Sequence, residues 1–147
     1  MPASPEIVRR IRSFNRFYTA FLGVLDRHFL ASPFSLTEVR ILYEVRHGSG
    51  SLARDIGRAL GVDRGYLSRI IDSFIRRGLV KKSPSPQDGR IHILTLTKKG
   101  KTVFDELEAR SQRSIADAIQ SLSQRQQEEL ARLTERVQAL LTKRSET

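Results

Sequence analysis

Residues 63–78 read DRGYLSRIIDSFIRRG, and this stretch decides the fold. Asp63 is an N-cap residue, able to accept hydrogen bonds from first-turn N–H groups that lack helical partners. Gly78 is the residue type that stops a helix. With Leu67 at the centre of one face, Ile70, Ile71 and Phe74 join it at helical spacing. The opposite face carries Gly65, Arg69, Asp72 and Arg76, with Arg64 and Ser68 on its flanks. One side belongs to a core and the other presents cations and donors. The expected helix runs from about Arg64 to Arg77.

Upstream, Leu52, Ala53, Ile56 and Leu60 line one side of a short helix, with Ser51 as its N-cap and Gly61-Val62-Asp63 as the turn after it. Ser35-Leu36-Thr37-Glu38 matches a capping box. The helix it opens has Leu36, Val39, Leu42 and Tyr43 for a buried face. His47-Gly48-Ser49-Gly50 closes it, with Gly48 suited to a left-handed cap. Further back, Ile7, Ile11, Phe14, Tyr18, Phe21, Leu25 and Phe29 mostly alternate steps of four and three, a helical stripe close to a heptad seam over residues 5–30. At 1.5 Å per residue that helix is about 39 Å long. A helix of this length usually packs on something outside its own compact domain. Ser32-Pro33 ends it.

Downstream of Gly78 the period changes to two. Leu79 to Ser83 reads as a strand, and Ile91 to Leu96 as a second, with Ile91, Ile93 and Thr95 on one face. Between them, Pro84-Ser85-Pro86-Gln87-Asp88-Gly89-Arg90 is a strong loop signal, so the pair forms a hairpin with a long tip. Thr97 caps a helix reaching about Leu122, striped by Val103, Leu107, Ile115 and Ile119. Ser123 caps a last helix with Leu130, Leu133, Val137, Leu140 and Leu141; Lys143 to Thr147 reads as a frayed end. The expected fold class is mainly α with a small β-hairpin wing, a winged helix-turn-helix flanked by long helices.

Charge points the same way. The net charge is +10, and residues 61–101 supply seven of it, with ten Lys/Arg against three Asp/Glu. A basic middle between nearly neutral arms points to a polyanion-binding face. These cations lie among turns and short elements rather than along one amphipathic helix, which argues against a membrane surface. No apolar run approaches the ~18 residues of a spanning helix, and Met1 to Pro5 leads into a charged helix without a signal-peptide core. The chain has no cysteine, which excludes disulfides and thiol switches and fits a cytoplasmic protein.

Recognition helices touch base edges mainly with their N-terminal residues. Here those are Arg64, Tyr66, Ser68 and Arg69, with Gly65 letting the backbone come close. An arginine making two bonds to guanine contributes about 1–3 kcal/mol of discrimination; Arg69 is the first candidate and Arg64 the second. Arg76, Arg77, Lys81 and Lys82 suit phosphates, which position without reading sequence. At the wing tip, Arg90 suits a narrow minor groove, with an Asp88 ion pair expected to set its direction.

Catalysis and metal binding find no support. His28, His47 and His92 fall in different elements, with no second ligand one turn away. Lys98-Lys99-Gly100-Lys101 lacks the glycines of a phosphate loop. Asp105, Glu106 and Glu108 read as solvated helix charges, and no nucleophile motif is present. Neither an enzyme activity nor a cofactor nor a metal is expected.

The ordered set Leu52 to Asp63, Leu67 to Asp72, Arg77 to Val80, Asp88 to Arg90 and Leu96 to Gly100 resembles the MarR family of bacterial transcription regulators, over nearly the whole chain. The resemblance implies a single domain over residues 1–147, with a winged core at about 35–101 and dimerisation helices at about 5–30 and 102–144. It implies a homodimer that sets two winged units on a pseudo-palindromic double-stranded operator, acting as a repressor. It also implies a small aromatic effector, for which Phe17, Phe21, Leu42 and Tyr43 are placed by position. Two departures stand out. Gly89 occupies a wing position that is often arginine, and Gly65-Tyr66 replaces small hydroxyl residues. The second variant resembles the subgroup in which such a domain precedes a GNAT acetyltransferase, so an N-terminal regulatory module of that fusion is an alternative. A winged-helix module that binds protein is a third reading, one that would not need Arg64, Arg69, Arg76 and Arg90 outward together.

Overall fold

The computed structural model describes residues 1–29, 32–48 and 52–142, with the side chains of all but 26–29. Its elements are α1 (Pro5–Phe29), α2 (Leu36–His47), α3 (Ala53–Leu60), α4 (Arg64–Arg76), β1 (Val80–Pro84), β2 (His92–Leu96), α5 (Lys98–Ile119) and α6 (Gln124–Thr142). They fall into two compact units, Met1–Ser111 and Gln112–Thr147. The frayed end expected from Lys143 onward lies outside the described residues, and the Phe29 side chain expected in the α1 stripe is likewise outside them.

Side-chain caps set most helix starts. At α2, Ser35 Oγ accepts from Glu38 N–H (3.2 Å) and Glu38 Oε1 accepts from Ser35 N–H (3.0 Å), a complete capping box. Ser123 and Gln126 repeat it before α6, at 3.3 and 2.9 Å. α3 differs: its N-cap position is Leu52, with no side-chain bond. Ser51, expected there, lies outside the described residues. Gly61 and Gly78 take the left-handed conformation, φ 62° and 70°. Gly48 does not. Its backbone is extended, and its N–H closes the last turn of α2 on Glu44 O at 2.8 Å without reversing the chain.

The core lies within the first unit. Ile41, Leu42 and Val45 of α2 meet Ile56, Leu67, Ile71 and Phe74 of the helix pair, together with Leu79, Val80, Leu94, Leu96, Phe104 and Leu107. Full burial of such side chains contributes roughly 1.5–3 kcal/mol each. The face of α2 expected from spacing is thus corrected. Leu36 and Tyr43 are exposed, while Ile41 and Val45 are buried. This helix carries two overlapping apolar stripes, and packing against α3 and β2 selects one. Phe104, absent from the expected α5 stripe, is buried, whereas Ile115 is exposed.

The hairpin is antiparallel, with Val80 opposite Leu96, Lys82 opposite Leu94 and Lys81 opposite Thr95. Directly opposite residues share a face. Val80 is buried, so Leu96 and, two residues back, Leu94 are buried with it. Ile91, Ile93 and Thr95 share the other face, and Ile91 is exposed. β1 begins one residue later than expected because Leu79 belongs to a junction. Leu79 N–H donates to Phe74 O, and Leu79 O accepts from Thr97 N–H. Thr97 Oγ1 accepts from Gly100 N–H (2.9 Å) and donates to Gly78 O. A Cβ on Gly100 would lie 2.0 Å from Leu79 O. The Leu-Thr-x-x-Gly run therefore welds the start of α5 to the end of α4.

In the second unit, α5 stops at Ile119, earlier than expected, because Gln127 Nε2 donates to the carbonyls of Ile119 (3.2 Å) and Leu122 (3.1 Å). No residue of α6 is buried. Among the described residues, no helix is long and apolar enough to cross a membrane.

Candidate nucleic-acid interface

The first turn of α4 is built by Asp63. Its Oδ2 accepts from both Gly65 N–H and Tyr66 N–H at 3.1 Å. A Cβ on Gly65 would sit 3.3 Å from that oxygen, so glycine here lets the carboxylate tuck against the turn. Leu67, Ile71 and Phe74 anchor the helix in the core, and Ile70 packs against them. Arg64, Gly65, Tyr66, Ser68, Arg69 and Arg76 are all exposed, as is Asp72. Asp63 itself supplies the anion at the positive end of the helix dipole, so the attraction for a further anion comes from the exposed Arg64 and Arg69 side chains.

The wing tip is ordered by its own backbone. Ser85 N–H donates to Ile91 O (2.7 Å), and Ile91 N–H donates to Asp88 O (3.0 Å). Asp88 Oδ1 accepts from Arg90 N–H at 3.0 Å. The expected Asp88–Arg90 ion pair is replaced by this bond: an aspartate two residues upstream reaches the backbone N–H and closes an Asx turn. Among the described residues, no ion pair engages the exposed Arg90 guanidinium. Gly89 has no positive φ, and a Cβ there would meet nothing within 4 Å. The backbone does not require glycine at this position.

Lys81 and Lys82 are exposed on opposite faces of β1. Arg77 is not free for phosphates. Its guanidinium lies 3.6 Å from Glu38 and 4.5 Å from the Phe34 ring centre, with Phe74 beyond at 5.9 Å. It ties α4 to the start of α2, and Lys99 Nζ donates to its carbonyl. Two further exposed cations, Arg54 and Arg58 on α3, were missed, because that helix was read for its apolar side alone. The signal was present in their one-turn spacing.

Among the effector positions, ring contacts join Phe17 to Phe21 on α1 but do not join either of them to Tyr43. On α1, Phe17 stacks with Phe21 (6.4 Å) and Phe14 with Tyr18 (5.4 Å). Tyr43 instead makes tilted ring contacts with His47 (4.3 Å) and Phe104 (6.2 Å). Leu42 is fully buried in the core. Among the described residues, no group of three or more His, Cys, Asp or Glu is placed to hold a metal.

Residues 32–91 match the model of the MarR family. The HTH-type transcriptional regulator BilQ of Clostridium symbiosum is 25% identical over 88 residues, which is 60% of this chain and 61% of that relative. The match therefore spans about three fifths of the relative's length. A MarR family protein from Bacillus stearothermophilus superposes with a TM-score of 0.83 at 15% identity, covering 96% of this chain and 99% of the other. The PcaV transcriptional regulator from Streptomyces coelicolor, solved in complex with its natural ligand, superposes at 0.67 with 25% identity, covering 95% and 98%.

Proposed function

We propose that this chain is a MarR-family, sequence-specific double-stranded DNA-binding regulator, a reading supported by the family-model match over residues 32–91 and by its relatives and structural neighbours. It acts as a homodimer and represses transcription until a small aromatic effector releases it. One observation carries the DNA-binding reading: the first turn of α4, capped by Asp63 and backed by the core, holds Arg64, Tyr66, Ser68 and Arg69 outward together. A rigid backing matters because a base contact loses value when the side chain's base must first be ordered.

In this reading Arg69 and Arg64 read bases, Arg76, Lys81 and Lys82 hold phosphates, and Arg90 enters the minor groove with Asp88 shaping its turn. The homodimer reading is supported by α6, where Leu130, Leu133, Val137, Leu140 and Leu141 are all exposed, since large exposed apolar patches mark interaction surfaces. The effector reading is supported by the ligand-bound PcaV neighbour, with Phe17, Phe21 and Tyr43 as exposed or half-buried rings available to it.

Selection of bound duplexes from a random pool, followed by salt titration, tests the proposal. The expected winner has two half-sites about 10–10.5 bp apart, and affinity falling by about 0.9 log units per log unit of salt for each phosphate engaged. Arg69→Ala should cost about 1–3 kcal/mol at one base position. Arg90→Ala should weaken sites with narrow minor grooves. If Arg69→Ala and the wild type discriminate equally between operator and random DNA, the base-reading role is wrong.

A further inference from the structure

Arg76 and Arg77 are neighbours at the C-terminal end of α4, yet only Arg76 is exposed; Arg77 is partly buried. Several ties meet at Arg77. Its guanidinium lies 3.6 Å from the Glu38 carboxylate and 4.5 Å from the Phe34 ring centre. Its N–H donates to Ser73 O at 3.0 Å, closing the last turn of the helix. Its carbonyl accepts from Lys99 Nζ at 3.1 Å.

The partners are themselves fixed. Glu38 Oε1 accepts from Ser35 N–H at 3.0 Å while Oε2 faces Arg77, so one carboxylate serves both the capping box and the guanidinium. Phe34 is buried, with its ring centre 6.4 Å from that of Phe74. Phe34 and Glu38 flank the start of α2, in the stretch that follows α1, and Lys99 sits in the first turn of α5. The end of α4 is thus held at once to the chain arriving from α1 and to the chain leaving into α5.

The length of α4 turns this clamp into a lever. From Arg64 to Arg76, at 1.5 Å per residue, the helix is about 20 Å long. A tilt of roughly 10° about its C-terminal end would carry the first turn about 3.4 Å, one base-pair step. The burial of Leu67, Ile71 and Phe74 is non-directional, so it holds the helix down more firmly than it fixes its tilt. A planar guanidinium between a carboxylate and a ring fixes direction as well, because little freedom is lost per contact.

We propose that Arg77 is a positioning residue that sets the tilt of α4 against α1 and α5, and so makes the protein selective for the spacing between half-sites. It acts through Arg64 and Arg69 at the far end of the helix, not by touching DNA. The inference rests on the homodimeric DNA-binding reading above and adds spacing discrimination to it.

The test uses the full chain with the selected operator and with versions one base pair longer or shorter between the half-sites. Each change turns the second half-site by roughly 35°. Wild type should lose roughly fivefold or more on both, as much as a lost base contact costs. Arg77→Met keeps an unbranched apolar stem but drops the charge and the fork. It should bind all of these duplexes about equally, with base preference inside each half-site unchanged. Glu38→Gln retains the capping box, since glutamine also serves there, and should relax spacing in the same direction by less. The double variant should relax it no further than Arg77→Met, because the two side chains act as one unit. Arg77→Lys should recover part of the discrimination, since it restores the charge without the fork. Circular dichroism and sedimentation check that each variant folds and associates as the wild type does.

Arg77→Met that weakens every spacing by one common factor has a role in stability alone, and overturns the inference. If that variant does not fold, Glu38→Gln carries the test, and wild-type selectivity in it overturns the inference equally. Wild type that accepts every spacing alike also overturns it, while the regulator reading stands. Wild type that shifts no DNA at low salt, or sediments as a single chain, overturns that reading and this inference with it.

Discussion

The winged core and the helices α1 and α6 treat their apolar residues in opposite ways. In the core, Ile41, Leu42, Phe74 and Leu94 are essentially inaccessible to water. On α6 not one residue is buried, and on α1 Ile7, Ile11, Phe14, Phe17 and Tyr18 are all exposed. The heptad-like spacing is regular in both flanking helices, so weak patterning does not explain the contrast. A striped helix hides its stripe only if something covers it, and in a single chain nothing described covers these two. The core is locally complete, whereas α1 and α6 leave apolar residues exposed, the surface that the proposed homodimer would bury.

The largest effect that would break this contrast is expected at Phe74. Phe74→Ala should destabilise the protein by about 3–5 kcal/mol, seen as a large loss in urea midpoint at every protein concentration. A loss that vanished at high concentration would mean the core is not self-sufficient. Gly100→Ala comes next. The added methyl must push apart the α4–α5 junction at Leu79, and overpacking of that kind costs about 1–3 kcal/mol, readable as a lower Tm. An unchanged Tm would show that the weld is loose.

Asp63→Ala should cost about 1 kcal/mol by leaving the Gly65 and Tyr66 N–H groups without their cap. Operator affinity should fall further than that stability loss explains, because the first turn frays. Equal losses would separate the cap from recognition. Leu133→Asp on α6 should have the smallest effect on the fold of one chain. Helical content should barely change, while sedimentation should report a smaller species and Tm should lose its dependence on protein concentration. A variant that sediments like the wild type removes the case for α6 in the interface.

Much of this was legible before any coordinates. Ser35, Asp63, Thr97 and Ser123 mark helix starts because capping is a contact between residues two or three apart. The outward face of α4 was legible because helical periodicity alone separates Arg69 from Leu67. The candidate site was legible in the same degree: Arg64, Tyr66, Ser68, Arg69 and Arg90 stand exposed where spacing places them. Arg77 was misread because its partners, Glu38 and Phe34, are about forty residues away, and charge alone does not separate a structural arginine from a free one.

Local sequence by itself determined the capped helix starts at Ser35, Asp63, Thr97 and Ser123 and which way the recognition helix faces, since those depend on neighbours within one or two turns. Tertiary structure alone decided three things. It chose Leu94 and Leu96 as the buried face of β2, locked Arg77 between two helices, and brought Lys82 to one cleft with Arg54 and Arg58. Each choice joins residues far apart in the chain. There the winner among several sterically allowed partners is set by which surfaces the fold brings together, and periodicity carries no information about that.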